Sequence, residues 1–146
     1  MLELSSYQID LTASLQCDVA ILLNITPDHI DRHGDFAGYF AAKQRLFSMQ
    51  GPQGVAVIGV DDAGTSDYYS RLRMRRADAQ IVAISAGRVV SRGVYALGDQ
   101  AYEALENTPQ PVMQLSRAKA LPGRHNAQNI AAALAAVRVL GISARI

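Results

Sequence analysis

Apolar residues in this chain fall into short, nearly unbroken runs separated by longer amphipathic stretches. Residues 19–25 (VAILLNI), 54–60 (GVAVIGV) and 79–85 (AQIVAIS) have strand length and carry Val, Ile, Leu and Ala at successive positions, the pattern of strands covered on both faces. Between the first two runs, Phe36, Tyr39, Phe40, Lys43 and Phe47 recur at helical spacing and form one stripe. Gly51 and Pro52 are expected to end that helix. A second helix is predicted over residues 67–76, with Tyr68, Leu72 and Tyr69 turned inward. Strand, helix, strand, helix, strand predicts a parallel α/β sheet with right-handed crossovers.

The pattern then changes. Residues 88–97 (RVVSRGVYAL), punctuated by Gly87, Gly93 and Gly98, read as short antiparallel strands or a hairpin, a small β appendage. Residues 101–105 read as a helical turn, and Pro109 and Pro111 force extended chain after it. Residues 125–140 are Ala-rich, with Ile130, Leu134 and Val137 four and three apart and Gly141 as a stop, which predicts a helix. The expected fold is α/β: a partial Rossmann-like, mostly parallel sheet flanked by helices, with a small antiparallel appendage.

Composition narrows the classes. The 146 residues, 49% of them hydrophobic, suffice for one core and fall short of two ordinary domains. Fourteen Lys and Arg against thirteen Asp and Glu leave a formal charge of +1. No basic field therefore points to a nucleic acid or a membrane surface. Cys17 is the single cysteine, so no internal disulfide forms and a cytoplasmic setting is expected. No apolar run approaches the roughly 20 residues of a bilayer span, and the opening MLELSS does not read as an export signal.

In open α/β sheets ligands bind beyond the carboxyl ends of the strands, so the residues following each apolar run are candidates for chemistry. Glu3, Ser5 and Ser6 bring a carboxylate and two hydroxyls after what reads as the stub of a strand; a serine-capped surface turn is the plain alternative. Asn24, Thr26, Asp28, His29, Asp31 and His33 follow the 19–25 run. They are hard ligands and proton carriers of the kind that hold Mg²⁺ beside phosphates. His29 and His33 also have the spacing of a zinc pair, without the partners zinc requires, and a solvated loop is the other reading. Lys43 occupies a stripe where an apolar residue is expected. It must snorkel, pair with a carboxylate, or serve as a reactive amine able to form a carbamate with CO₂. Asn126 and Asn129, three apart at the start of the last helix, can read a base or phosphate, or Asn126 can be the N-cap. The run Arg71, Arg73, Arg75, Arg76 reads as a solvated helix end.

Taken together, ELSSYQ from Glu3, LNITPDHIDRHGDFAGYFAAKQRLF from Leu23 and LPGRHNAQNIAAAL from Leu121 resemble the central ATP-binding domain of the Mur ligases. The wording is closest to the members that add D-glutamate to UDP-N-acetylmuramoyl-L-alanine. The resemblance implies that Glu3 and His29 bind Mg²⁺, and that Lys43 is carbamylated and helps place a magnesium ion. It further implies that Asn126 and Asn129 lie near the adenine end of ATP and that Ser5 contacts the muramoyl substrate. The implied reaction activates a carboxylate as an acyl phosphate at the expense of ATP, after which the amine of D-glutamate forms the amide.

The chain departs from that family in one motif: no G-x-x-x-x-G-K-[ST] occurs in it. The resemblance further implies a UDP-binding domain before this region and a D-glutamate-binding domain after it, and neither is expected within residues 1–146. Residues 1–146 are therefore expected to be a truncated central domain, inactive alone, with an exposed sheet edge through which it self-associates. The rival readings are a non-catalytic α/β nucleotide- or metal-binding module, another Mur-type ligase, and a phosphohydrolase using Asp28, Asp31 and His29.

Overall fold

Six strands form one sheet in the order β1-β2-β3-β4-β5-β6. The computed structural model describes every residue except 29, 78, 79, 107, 122 and 144–146. In chain order the elements are α1 (Ser6–Leu11), β1 (Val19–Leu22), α2 (Ile30–His33), α3 (Phe36–Ser48), β2 (Val55–Gly59), α4 (Ala63–Arg73) and β3 (Ile81–Ser85). Then follow β4 (Gly93–Leu97), β5 (Gln100–Ala104), β6 (Gln110–Gln114), a 3₁₀ turn (Leu115–Arg117) and α5 (Arg124–Val139). Strands β1 to β4 are parallel, and β5 and β6 add antiparallel pairs.

Alternation along the strands assigns the two faces. Val57, Val82, Ile84 and Val94 pack with Ile130, Ala131, Leu134 and Ala135 of α5. Ala20, Leu22, Ala56 and Ile58 pack with Tyr39, Phe40 and Phe47 of α3 and with Tyr68 of α4. Helices α3 and α4 lie on one face because each crossover steps to the next strand in the same direction. The last helix then covers the other face, so the strands are sandwiched and read as continuous apolar runs.

The stripe on α3 is as the spacing predicts: Tyr39, Phe40 and Phe47 are buried, and Lys43 is half-buried among them. Asp35 caps this helix by accepting from the Gly38 N–H at 2.7 Å. Helix α4 begins four residues earlier than the periodicity predicts. The Asp62 carboxylate accepts from the Thr65 N–H at 2.9 Å and from its hydroxyl at 2.6 Å, which starts the helix at Ala63. It ends at Arg73, so Arg76 lies beyond it and donates to Gln50 Oε1 at 2.7 Å and to the Phe47 carbonyl. That arginine is a tie between α3 and the α4 terminus, not part of a solvated helix end.

Three further expectations are corrected. The first five residues belong to no helix or strand, so no strand stub precedes the serines that open α1. Residues 93–97 are not the return arm of a hairpin beginning at 88: β4 runs parallel to β3, opposite its last three residues. The hairpin is β4–β5, turning at Gly98, whose φ is +56°. Residues 101–104 belong to β5 in place of a helical turn, and Tyr102 stacks on Tyr95 across the ladder with ring centroids 5.3 Å apart. The antiparallel strands extend the main sheet. Gly93 permits the close approach of β4 to β3: an added Cβ would lie 1.8 Å from the Ala83 carbonyl oxygen.

Candidate functional site

The carboxyl ends of β1, β2 and β3 lie side by side and point their following loops to one edge of the molecule. Asn24 follows β1, Asp61 follows β2, and Ser85 closes β3. The Asp61 carboxylate accepts from the Ser85 hydroxyl at 2.6 Å and from the Ala86 N–H at 2.7 Å. The same Ser85 oxygen accepts from the N–H groups of Gly87 and Arg88 at 3.2 and 3.0 Å, which orders the turn out of β3. Above this group lies Gln128 of α5. Its amide donates to the Leu23 carbonyl at 3.1 Å and to Asp61 at 3.2 Å, and accepts from the Asn24 side chain at 3.3 Å. Arg124 places a guanidinium 3.9 Å from Asp61.

Helix α5 begins at Arg124 with Gly123 in the capping position at φ +92°, so Asn126 is the third helical residue and not the N-cap. Asn126 is half-buried and Asn129 exposed; their spacing puts them on neighbouring positions of the first two turns. Beside them, a cleft of about 460 Å³ opens between Ala86, Ala96, Lys119, Leu121, Arg124 and Ala127.

Glu3 is exposed just ahead of α1. Ser5 is the N-cap of α1 in a capping box: its hydroxyl accepts from the Gln8 N–H at 3.2 Å, and its own N–H donates to Gln8 Oε1 at 2.8 Å. Helix α1 is pinned to the α2–α3 region through His33, whose Nε2 is 3.0 Å from the Ser6 hydroxyl and whose Nδ1 is 3.7 Å from the Asp10 carboxylate. Arg45 of α3 completes the tie to Asp10 at 3.2 Å. The order Ser6, His33, Asp10 is the wiring of a nucleophilic triad, but Ser6 is 1% exposed, so the group fixes helices and meets no substrate. Its commitment to Ser6 and Asp10 also removes His33 from a zinc pair.

Lys43 extends its ammonium to 5.3 Å from the centroid of the Tyr39 ring, a cation–π contact of a half-buried amine. His29 lies outside the described residues. The structure thus ties Asn24 through Gln128 to α5, whose first two turns carry Asn126 and Asn129, and packs α1, which follows Glu3 and Ser5, against α3, which carries Lys43. Among the described residues no three carboxylate, histidine or cysteine side chains converge as metal ligands. Glu3 and Asp28 are hard oxygen donors at the surface.

Sequence reasoning missed Asp61, Ser85 and Gln128. The first two stand where a rule about strand ends places polar residues. Gln128 falls on the buried face of α5 with Ala131 and Ala135, a polar residue on an apolar stripe like Lys43.

Comparison with known proteins agrees with this architecture. Residues 1–137 match the Mur ligase middle domain model. The chain is 51% identical over 143 residues to the UDP-N-acetylmuramoylalanine–D-glutamate ligase of Caulobacter vibrioides (strain NA1000 / CB15N), covering 98% of this chain and 30% of that protein. It is 46% identical over 146 residues to the same-named ligase of Rhodospirillum rubrum, covering 100% of this chain and 30% of that one. Among solved structures, the UDP-N-acetylmuramoylalanyl-D-glutamyl-2,6-diaminopimelate–D-alanyl-D-alanyl ligase from Acinetobacter baumannii is similar with a TM-score of 0.63 and 26% identity. That match covers 95% of this chain and 29% of the other. The chain therefore spans about 30% of the length of the curated relatives it matches. With the matched region taking in the strand-end loops, α3 and nearly all of α5, the chain belongs to the Mur ligase middle-domain family.

Proposed function

We propose that this chain supplies the central ATP-binding domain of a cytoplasmic ligase that adds D-glutamate to UDP-N-acetylmuramoyl-L-alanine in peptidoglycan precursor synthesis. The observation that carries the reading is 46–51% identity over nearly the whole chain to relatives bearing that ligase name. No helix among the described residues is long and apolar enough to cross a membrane.

In this reading Asn126 and Asn129 present side-chain amides to the adenine end of ATP from the first turns of α5, next to the cleft at Arg124. Glu3 and His29, with Lys43 as its carbamate, would hold Mg²⁺. Bound magnesium supplies charge neutralisation on the phosphoryl oxygens during carboxylate activation. The carbamate would turn the cation over Tyr39 into an anion bearing two oxygen donors, and Ser5 would meet the muramoyl substrate from the cap of α1. D-Glutamate's amine would then attack the acyl phosphate carbonyl, forming the amide as the acyl–phosphate bond breaks and inorganic phosphate leaves.

We further propose that these 146 residues, which span about 30% of the curated relatives they match, do not turn over alone. Phosphate release by this chain that requires both UDP-N-acetylmuramoyl-L-alanine and D-glutamate would refute that statement. The nucleotide reading is tested by Mg-ATP titration followed by NMR. Saturable shifts at Asn126, Asn129 and residues 24–33 are expected, and a flat response at both asparagines would overturn it.

A further inference from the structure

We propose that Gln128 is a positioning residue, its buried amide setting the register of α5 against the loop that leaves β1. The proposal rests on the reading of α5 as the nucleotide-binding helix, because it makes Gln128 the link between Asn126 and Asn129 on one side and the loop toward His29 on the other. Gln128 is 6% exposed, and the other buried residues of α5 are Ala127, Ile130, Ala131, Ala132, Leu134 and Ala135. An apolar residue would pack there without the desolvation cost of an amide. The amide instead meets three partners from separate places in the chain: Leu23 O at the end of β1, the Asn24 side chain, and Asp61 after β2.

Its orientation is fixed by those partners, since Nε2 faces two acceptors and Oε1 faces a donor. Through Asp61 the same network continues to Ser85 and Ala86 after β3. A slide of α5 by an ångström would break these bonds together, whereas an apolar contact would tolerate it. Room for the amide is kept by Gly59, where an ideal Cβ would lie 3.0 Å from Gln128 Nε2.

The test uses NMR on the 146-residue chain and its Gln128→Met variant, which keeps the length and removes the hydrogen bonds. Solvent exchange of the Asn24 side-chain amide protons is expected to rise about fivefold, the equivalent of one net hydrogen bond. Backbone resonances of residues 24–28 shift with it, while amide protection at Val57, Val82 and Ile84 is retained. Unchanged exchange and shifts at 24–28, or a uniform loss of protection through the sheet, would overturn the proposal, the second by showing a role in stability alone. Should Gln128→Met fail to fold, Asn24→Ala at the exposed end of the bond decides: shifts at Gln128 and Asn129 support positioning, and their absence refutes it. Mg-ATP is then added to each folded protein, with at least tenfold weaker binding expected for the variant. A flat Mg-ATP response in the wild type counts against the nucleotide reading and leaves the exchange measurement to judge Gln128.

Discussion

Replacing Gly59 by alanine tests how closely β1 and β2 approach at the site. Gly59 is the last residue of β2 and is buried. An ideal Cβ there would sit 1.7 Å from the Leu23 carbonyl oxygen and 2.7 Å from its carbon. Carbon–oxygen contacts below 3.0 Å are essentially not tolerated, so the Leu23 carbonyl must retreat by more than an ångström. That carbonyl is also the acceptor for Gln128 Nε2. The methyl therefore strains the β1–β2 pairing and breaks the tie to α5. Overpacking a close-fitted core costs about 1–3 kcal/mol, and a lost buried hydrogen bond adds about 1 kcal/mol. For a domain of this size each kcal/mol lowers Tm by about 3 °C, so Gly59→Ala should melt roughly 6–12 °C below wild type. Calorimetry or circular dichroism at fixed scan rate measures this. A melting temperature within 2 °C of wild type, by the same conversion of roughly 3 °C per kcal/mol, would show that the strand ends are not held at this spacing and would refute the argument.

Four other outcomes are expected. Ser85→Ala removes the hydroxyl that donates to Asp61 and accepts from Gly87 and Arg88. It should cost about 2 kcal/mol in urea unfolding, and a loss below about 0.5 kcal/mol would rule out this network as a contributor. Burial raises the Cys17 thiol above its ordinary value of 9.0. Native alkylation at pH 8–9 should therefore be slower than in the unfolded chain; the stability this contributes is present below pH 9.0 and lost as pH rises through the native pKa. Equal native and unfolded alkylation rates would contradict it. ¹³C-bicarbonate should give a carbamate resonance that vanishes in Lys43→Met; its absence in wild type removes Lys43 from the proposed metal set. Finally, the β1 edge carries only Val, Ala, Ile and Leu, whereas the β6 edge is guarded by Pro111 and a register shift. Association through β1 should make light-scattering mass rise with concentration, and a monodisperse monomer at high concentration would refute it.

The parts of the fold legible in the sequence are those whose environment is uniform along the segment. Strands β1 to β3 are covered on both faces, so each residue is selected for burial and the apolar run survives as a local signal. The stripe on α3 is legible for the same reason, and Lys43 stood out against it. Strand β5 was not legible, because Gln100, Ala101, Glu103 and Ala104 have no preference for extended chain and are held there by pairing on two sides. The start of α4 was hidden because Gly64 and Ser66 read as loop, while the signal that mattered was Asp62 three residues before Thr65.

The site divides along the same physical line. Asn24 and the residues after it stand out as candidates because a strand end is a position in sequence, and Asn126 and Asn129 because they share a helix turn. Asp61, Ser85 and Gln128 have no such local mark: Asp61 looks like part of a capping pair with Asp62, Ser85 like the last residue of a strand, and Gln128 like one amide among several. Their meaning arises only from contacts at sequence separations of 24, 67 and 105. Each of these three is buried or partly buried and hydrogen-bonded to the others or to a strand-end carbonyl, so replacing one strands a partner's polar group in the interior. A chain that needed only to cover its sheet could place leucine at 128 and valine at 85. Keeping polar groups at both positions, bonded through Asp61, fixes how far α5 can slide over the ends of β1, β2 and β3. In the proposed reading, in which α5 offers Asn126 and Asn129 to a nucleotide, that restriction is required.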